Sequence, residues 1–142
     1  MIPVAYAAFA LPNFGSVRGS ETVLVVEDEA MVCELAVEAL MDEGYRVLSA
    51  ADAEEAEDIL ARERVDLLFT DIDLARNTNG LSLARQARRL RPNLPVIYTS
   101  GGRGSLSQAD AVTESIFVPK PYRPSQITAL ANGLLRRFPH YA

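Results

Sequence analysis

From Glu21 onward the chain alternates between two hydrophobic rhythms. Val23-Leu24-Val25-Val26 is an unbroken, largely β-branched apolar run, the pattern of a parallel strand covered on both faces. Val32, Leu35, Ala36, Ala39 and Leu40 then recur at helical spacing, and Gly44 marks the stop. Tyr45 to Leu48 reads as a second strand. Asp52 with Glu55 three residues later forms the signature of a capping box, opening a helix over 52–63 that buries Ala53, Ala56, Ile59 and Leu60. Asp66-Leu67-Leu68-Phe69-Thr70 is a third strand, followed by a polar loop, Arg76 to Asn79, and a helix from Gly80 to about Leu90.

Pro92 and Pro95 bracket a turn before the fourth strand, Val96-Ile97-Tyr98-Thr99. Residues 101–114 carry only a weak apolar pattern (Leu106, Ala109, Val112), so any fourth helix there is short or degenerate. Ile116-Phe117-Val118 is a fifth strand. Pro124, a good first-turn residue, opens a last helix that buries Ile127, Leu130, Ala131, Leu134 and Leu135. Five β/α repeats predict an α/β fold: a doubly wound, five-stranded parallel sheet with helices on both faces.

Residues 1–20 stand apart as an extension, apolar to Pro12 and Gly/Ser-bearing after it, while 21–142 form one domain. Twelve apolar residues are too few to span a bilayer. A net charge of −5 argues against a phosphate backbone as the main partner. The local basic run, Arg85 to Arg91, falls late in a predicted helix, where a solvated face accounts for it. Cys33 is the only cysteine and is expected in the core; His140 is the only histidine, which argues against imidazole metal sites and Ser-His-Asp chemistry.

In open α/β sheets ligands bind beyond the carboxyl ends of the strands, where strand order reverses. Glu27 and Asp28 follow strand one, Asp71 strand three, Ser100 strand four and Lys120 strand five. Each has a bland explanation, such as a helix cap or loop ordering. Jointly the bland account fails, because crowded carboxylates raise one another's pKa unless a cation joins them. Thirteen arginines accompany this single lysine, which sits between Pro119 and Pro121, where a cis bond would fix the direction of its stem. One ammonium against three carboxylates leaves a deficit that a divalent ion would fill, and oxygen ligands alone point to Mg²⁺. Carboxylate, hydroxyl, ammonium and Mg²⁺ together make a phosphoryl-transfer constellation, with Asp71 as nucleophile. There is no Walker-type glycine loop, which disfavours nucleotide hydrolysis.

These stretches, Val23 to Glu29, Asp66 to Asp71, Pro95 to Gly101 and Val118 to Tyr122, resemble in order and spacing the receiver domain of two-component response regulators, over about residues 21–137. The resemblance implies the flavodoxin-like strand order 2-1-3-4-5 and a phosphoryl group donated to Asp71 by a sensor histidine kinase or phosphotransfer protein. It implies that Glu27, Asp28, Asp71 and the backbone carbonyl of Asp73 hold Mg²⁺, that Ser100 and Lys120 engage the phosphoryl oxygens, and that Phe117 repacks inward as the switch.

Three features depart from the family pattern. The loop from Asp71 to Gly80 is one residue longer than the commonest form and lacks its frequent proline. Ser100 stands for threonine, and the weak 101–114 segment puts the usual output surface in doubt. With the chain ending soon after its last helix, the expectation is a stand-alone, cytoplasmic phosphoacceptor, not an enzyme beyond its own phosphorylation and dephosphorylation. It would signal to an unknown output protein. Two other readings are a phosphorylation-independent interaction module and a small aspartyl-phosphate phosphatase. Asp71-Ile72-Asp73 matches the DxD of haloacid dehalogenase-like phosphatases, but their nucleophile lies on the first strand and no cap domain fits here.

Overall fold

A computed structural model describes residues 21–74, 78–102 and 110–136. Five strands, β1 (Thr22–Val26), β2 (Arg46–Ala50), β3 (Leu67–Asp71), β4 (Val96–Ser100) and β5 (Ser115–Pro119), form one parallel sheet in the order β2-β1-β3-β4-β5. Four helices accompany it: α1 (Ala30–Asp42), α2 (Ala53–Arg62), α3 (Gly80–Leu90) and α4 (Pro124–Leu135). The predicted doubly wound sheet and its strand order are therefore present. The chain first steps from β1 to β2, then returns to lay β3 on the other side of β1, so strand order reverses between β1 and β3.

Strand alternation sorts the core into two layers. Leu24, Val26, Leu68, Val96 and Tyr98 point to one side and pack with Ala53, Ala56 and Leu60 of α2 and Leu83, Ala84 and Ala87 of α3. Val23, Val25, Leu67, Phe69, Ile97 and Val118 point to the other, against Ala36 and Leu40 of α1 and Ile127 and Ala131 of α4. β1, β3 and β4 are buried along their whole length, as their unbroken apolar runs require. The buried core forces the polar atoms of these strands to the ends of the sheet.

Four local expectations are corrected. β3 starts at Leu67 and includes Asp71, because the Asp66 carboxylate instead accepts the Thr22 N–H at 2.8 Å. The buried side of α1 runs through Ala36 and Leu40 with Cys33 and Val37 half-buried, and Leu35 is 55% exposed. Cys33 is thus at the edge of the core; burial above all, with the Glu27 charge, pushes its thiol up, away from thiolate chemistry. The arginines of α3 and its C-cap are not merely a solvated face. Arg88 donates to the Leu94 carbonyl at 2.7 Å, Arg91 to those of Val65 and Glu63, and Arg85 to that of Asp110 at 3.0 Å. A five-donor fork can satisfy loop carbonyls that a point charge could not.

Turn and cap chemistry follow the sequence closely. Gly44 adopts φ +99° after α1, a conformation that strains any side chain. Asp52 caps α2 by accepting the Glu55 N–H at 2.8 Å, while the Glu55 side chain accepts the N–H of Ala51. Among the described residues no helix stands between β4 and β5; the expected short helix falls largely on 103–109, which lie outside the described residues, as do 1–20 and 137–142. No described helix is long and apolar enough to cross a membrane.

Thr99, on β4, is 1% exposed and its hydroxyl has no hydrogen-bond partner among the described residues. An unpaired buried hydroxyl costs more than it contributes, so Thr99→Val is expected to stabilise the fold by about 1 kcal/mol. Denaturant titration of the two proteins checks it, with an unchanged m-value expected.

Candidate functional site

The reversal of strand order opens a crevice at the carboxyl edge between β1 and β3, and the side chains singled out in the sequence converge there. Glu27 leaves β1 with 4% exposure, Asp71 ends β3 with 4%, and exposed Asp28 stands beside them. The three offer carboxylate oxygens that all lie within 4.8 Å of one another. Ser100 ends β4 and Lys120 follows β5, with its bond to Pro121 cis.

Lys120 closes this arrangement electrically. Its ammonium lies 2.8 Å from Asp71 Oδ2, 2.9 Å from Glu27 Oε1 and 3.6 Å from Glu29 Oε1. Burial alone would pull its pKa down, but the Asp71 carboxylate, which accepts its hydrogen bond, and the charge of the neighbouring Glu27 together outweigh that and raise it, so the lysine stays charged throughout the working range. Glu27 responds in the opposite balance. Its carboxyl is raised, chiefly by burial, with the Asp71 charge adding to it and Lys120 and the Glu29 N–H opposing it.

Backbone groups fix the carboxylates further. Glu27 Oε2 accepts the Glu29 N–H at 3.1 Å, and Asp71 Oδ1 accepts the Asp73 N–H at 3.1 Å. Asp71 therefore does order the loop that follows it, as well as facing the site. Asp28 does not cap α1, whose N-cap position is Glu29. Ser100 Oγ donates to Asp73 Oδ2 at 3.3 Å and accepts the Gly102 N–H at 3.1 Å. Phe117 is half-buried against the α2/α3 layer. Tyr122, whose ring meets Phe69 edge-on at 5.5 Å, flanks the site; burial first and the Glu27 charge second push its phenol up to about 12.

Glu27 Oε1 is buried and faces the Lys120 ammonium without a hydrogen bond in good geometry from any described residue. With Asp28 Oδ and Asp71 Oδ nearby, this is an oxygen-only donor set with spare lone pairs, chemistry that suits a hard divalent cation.

Two contributors escaped the sequence reading. Glu29 adds a third carboxylate to the lysine, although it is mostly exposed. Gly80 is the other. A Cβ there would sit 2.1 Å from the Asp71 carbonyl oxygen and 3.0 Å from Thr70 Oγ1, so the start of α3 is pressed directly against the backbone of the site aspartate. Gly80 N–H also donates to the Ile72 carbonyl at 2.8 Å. The one signal in the sequence was a poor helix former directly after the Asn79 cap. Gly80→Ala is expected to destabilise the fold by about 1–3 kcal/mol through overpacking. It should also shift the Asp71 backbone amide in a two-dimensional NMR spectrum, which distinguishes displacement of the site from general loosening.

Comparison with known proteins agrees with this geometry. The family model described as "Response regulator receiver domain" matches residues 23–132. The phosphate regulon transcriptional regulatory protein PhoB of Pseudomonas aeruginosa is 31% identical over 121 residues, covering 82% of this chain and 52% of PhoB. The response regulator MprA of Mycobacterium bovis is 34% identical over 121 residues, covering 83% of this chain and 52% of MprA. The chain thus spans about half the length of these curated relatives. A response regulator receiver protein from Sinorhizobium medicae superposes with a TM-score of 0.78 at 29% identity, over 82% of this chain and 95% of that one.

Proposed function

This chain belongs to the response regulator receiver domain family, and on that footing we propose that Asp71 accepts a phosphoryl group from the phosphohistidine of a sensor histidine kinase or phosphotransfer protein. The observation that carries this reading is the pairing of two buried carboxylates, Glu27 and Asp71, on the only lysine of the chain, at the point where strand order reverses. An Asp71 carboxylate oxygen attacks the phosphorus of the donor. The P–O bond forms, the P–N bond breaks, and its electron pair returns to the imidazole nitrogen of the donor. The product is an aspartyl phosphate.

Lys120 and Ser100 are the protein groups suited to the phosphoryl oxygens, the first by charge and the second by its single O–H donor. Glu27, Asp28, Asp71 and the Asp73 carbonyl are the groups that would hold Mg²⁺, which when bound offsets the negative charge of the transferred group. Ser100 now donates to Asp73 Oδ2, so its proton has to leave that carboxylate before it can serve a phosphoryl oxygen. In this reading the protein works in the cytoplasm. It catalyses nothing beyond its own phosphorylation and dephosphorylation and signals by binding an output protein differently in its two states, with Phe117 moving between them.

Incubation with Mg²⁺ and acetyl phosphate, followed by intact mass measurement, tests the proposal. One phosphoryl adduct per chain is expected. Repeated turnover of a generic phosphate ester would replace it with a phosphatase. No adduct, even with Mg²⁺ and a cognate kinase, would leave a phosphorylation-independent interaction module.

A further inference from the structure

The chain re-enters β5 through residues 110–114, and their backbone is held by side chains rather than by a helix or a ladder. Arg85 of α3 donates to the Asp110 carbonyl at 3.0 Å. Ser115, the first residue of β5, donates to the Val112 carbonyl at 2.8 Å. Tyr98 of β4 accepts the Val112 N–H on its phenol oxygen at 3.1 Å. Glu114 then turns the chain with φ +56°, a left-handed conformation costly for a residue with a Cβ.

These ties differ in what they connect. Only Tyr98 lies on the strand that ends in Ser100, two residues further on and on the same face of the sheet. Among the described residues Tyr98 is also the largest fully buried side chain, whereas an aliphatic residue would fill a core position without reaching the backbone of Val112. Its register partner on β5 is Phe117. Phe117, Ala111 and Val112 are all half-buried and pack on the same layer as the Tyr98 ring. A close-packed interior has no spare room for a second ring. If Phe117 moves inward, Tyr98 is the group beside it that has to yield.

We propose that Tyr98 is the positioning residue that couples the phosphoryl site to residues 110–114. Its hydroxyl pins Val112 in the present arrangement; inward packing of Phe117, once Ser100 has turned from Asp73 to a phosphoryl oxygen, draws that hydroxyl away and frees the segment for an output partner. This rests on Asp71 being the phosphoacceptor. It adds the route by which the state of Asp71 leaves the site, through a hydroxyl on β4.

Amide hydrogen exchange at Val112, read residue by residue in the full chain with Mg²⁺ and with or without acetyl phosphate, tests the coupling. In the native protein, phosphorylation is expected to speed exchange at Val112 about fivefold, the loss of one ordinary hydrogen bond. Tyr98→Phe should already exchange at that faster rate before phosphorylation and show no further change, while taking up the same adduct on Asp71. Arg85→Ala loosens the same segment from another side and should keep the phosphorylation-linked increase. The proposal is overturned by unchanged Val112 exchange in a phosphorylated native protein, by a full increase persisting in Tyr98→Phe, or by equal loss of the increase in Arg85→Ala. The native arm alone decides the matter should Tyr98→Phe fail to fold. Failure of the native protein to form any adduct would instead sink the phosphoacceptor reading, and the coupling with it.

Discussion

Asp71→Asn is expected to take up no phosphoryl group from acetyl phosphate, where the native chain takes up one, a complete loss read directly as intact mass. The amide nitrogen and neutral carbonyl oxygen that replace the carboxylate are poor nucleophiles, and the product would lack the acyl phosphate linkage. The fold should hardly notice. Asparagine keeps the shape of aspartate and an oxygen able to accept the Asp73 N–H, which now donates to Asp71 Oδ1 at 3.1 Å. Lys120 retains Glu27 at 2.9 Å. The Asp71 charge is also one of the causes that raise Glu27, so its removal relieves a repulsion while it costs an ion pair. Stability within about 1 kcal/mol of the native protein is therefore expected, since the lost pair and the lost repulsion offset one another. Retention of a stable adduct by Asp71→Asn would place the phosphoacceptor elsewhere.

Lys120→Met acts on stability as strongly as Asp71→Asn acts on chemistry. The thioether fills the space of the stem but leaves Glu27 and Asp71, each 4% exposed, without their cation. Breaking a buried pair from one side leaves an uncompensated charge and costs about 3 kcal/mol at neutral pH. The loss should depend on pH in a definite direction. Burial already raises the Glu27 carboxyl, and losing Lys120 removes an influence that lowers it.

A carboxyl whose folded pKa stands above its unfolded one contributes fully below the unfolded value, and that contribution is lost as pH rises through the folded value. Lys120→Met should accordingly recover part of its stability as pH falls from 7 toward 5, and denaturant titrations in EDTA at the two pH values check it. A deficit that did not shrink on acidification would mean that lost packing, not stranded charge, is responsible. Lys120→Arg keeps the charge but replaces a slender ammonium with a broad fork in a site crowded by three carboxylates. Native uptake and native switching in that variant would count against the role given to lysine.

Two kinds of information were needed to read this protein. The elements themselves, the strand ends and the residues standing there were legible because parallel strands buried on both faces must be continuously apolar, so the first polar residue after each run marks an edge. Glu27, Asp28, Asp71, Ser100 and Lys120 were all found that way, and their resemblance to a family supplied roles that spacing alone would not. The rotation of α1 was not legible. Leu35 and Ala36 both fit a helical stripe, and only the packing partner across the sheet decides which of them is buried. Arg85 in α3 and Arg91 just after it looked solvated because their acceptors are carbonyls distant in sequence, Asp110 and Val65.

By itself, then, the sequence determined the parallel sheet, its edge chemistry and the identity of the nucleophile candidate, since these follow from periodicity and from residue types at fixed positions. Tertiary structure alone decided that the Lys120 ammonium meets Glu27, Glu29 and Asp71 together, that Gly80 must lack a Cβ, and that Tyr98 reaches Val112. Those contacts join residues 9 to 93 positions apart, brought within a few ångströms by crossovers and close packing, and a local pattern carries no record of distances set by the whole fold.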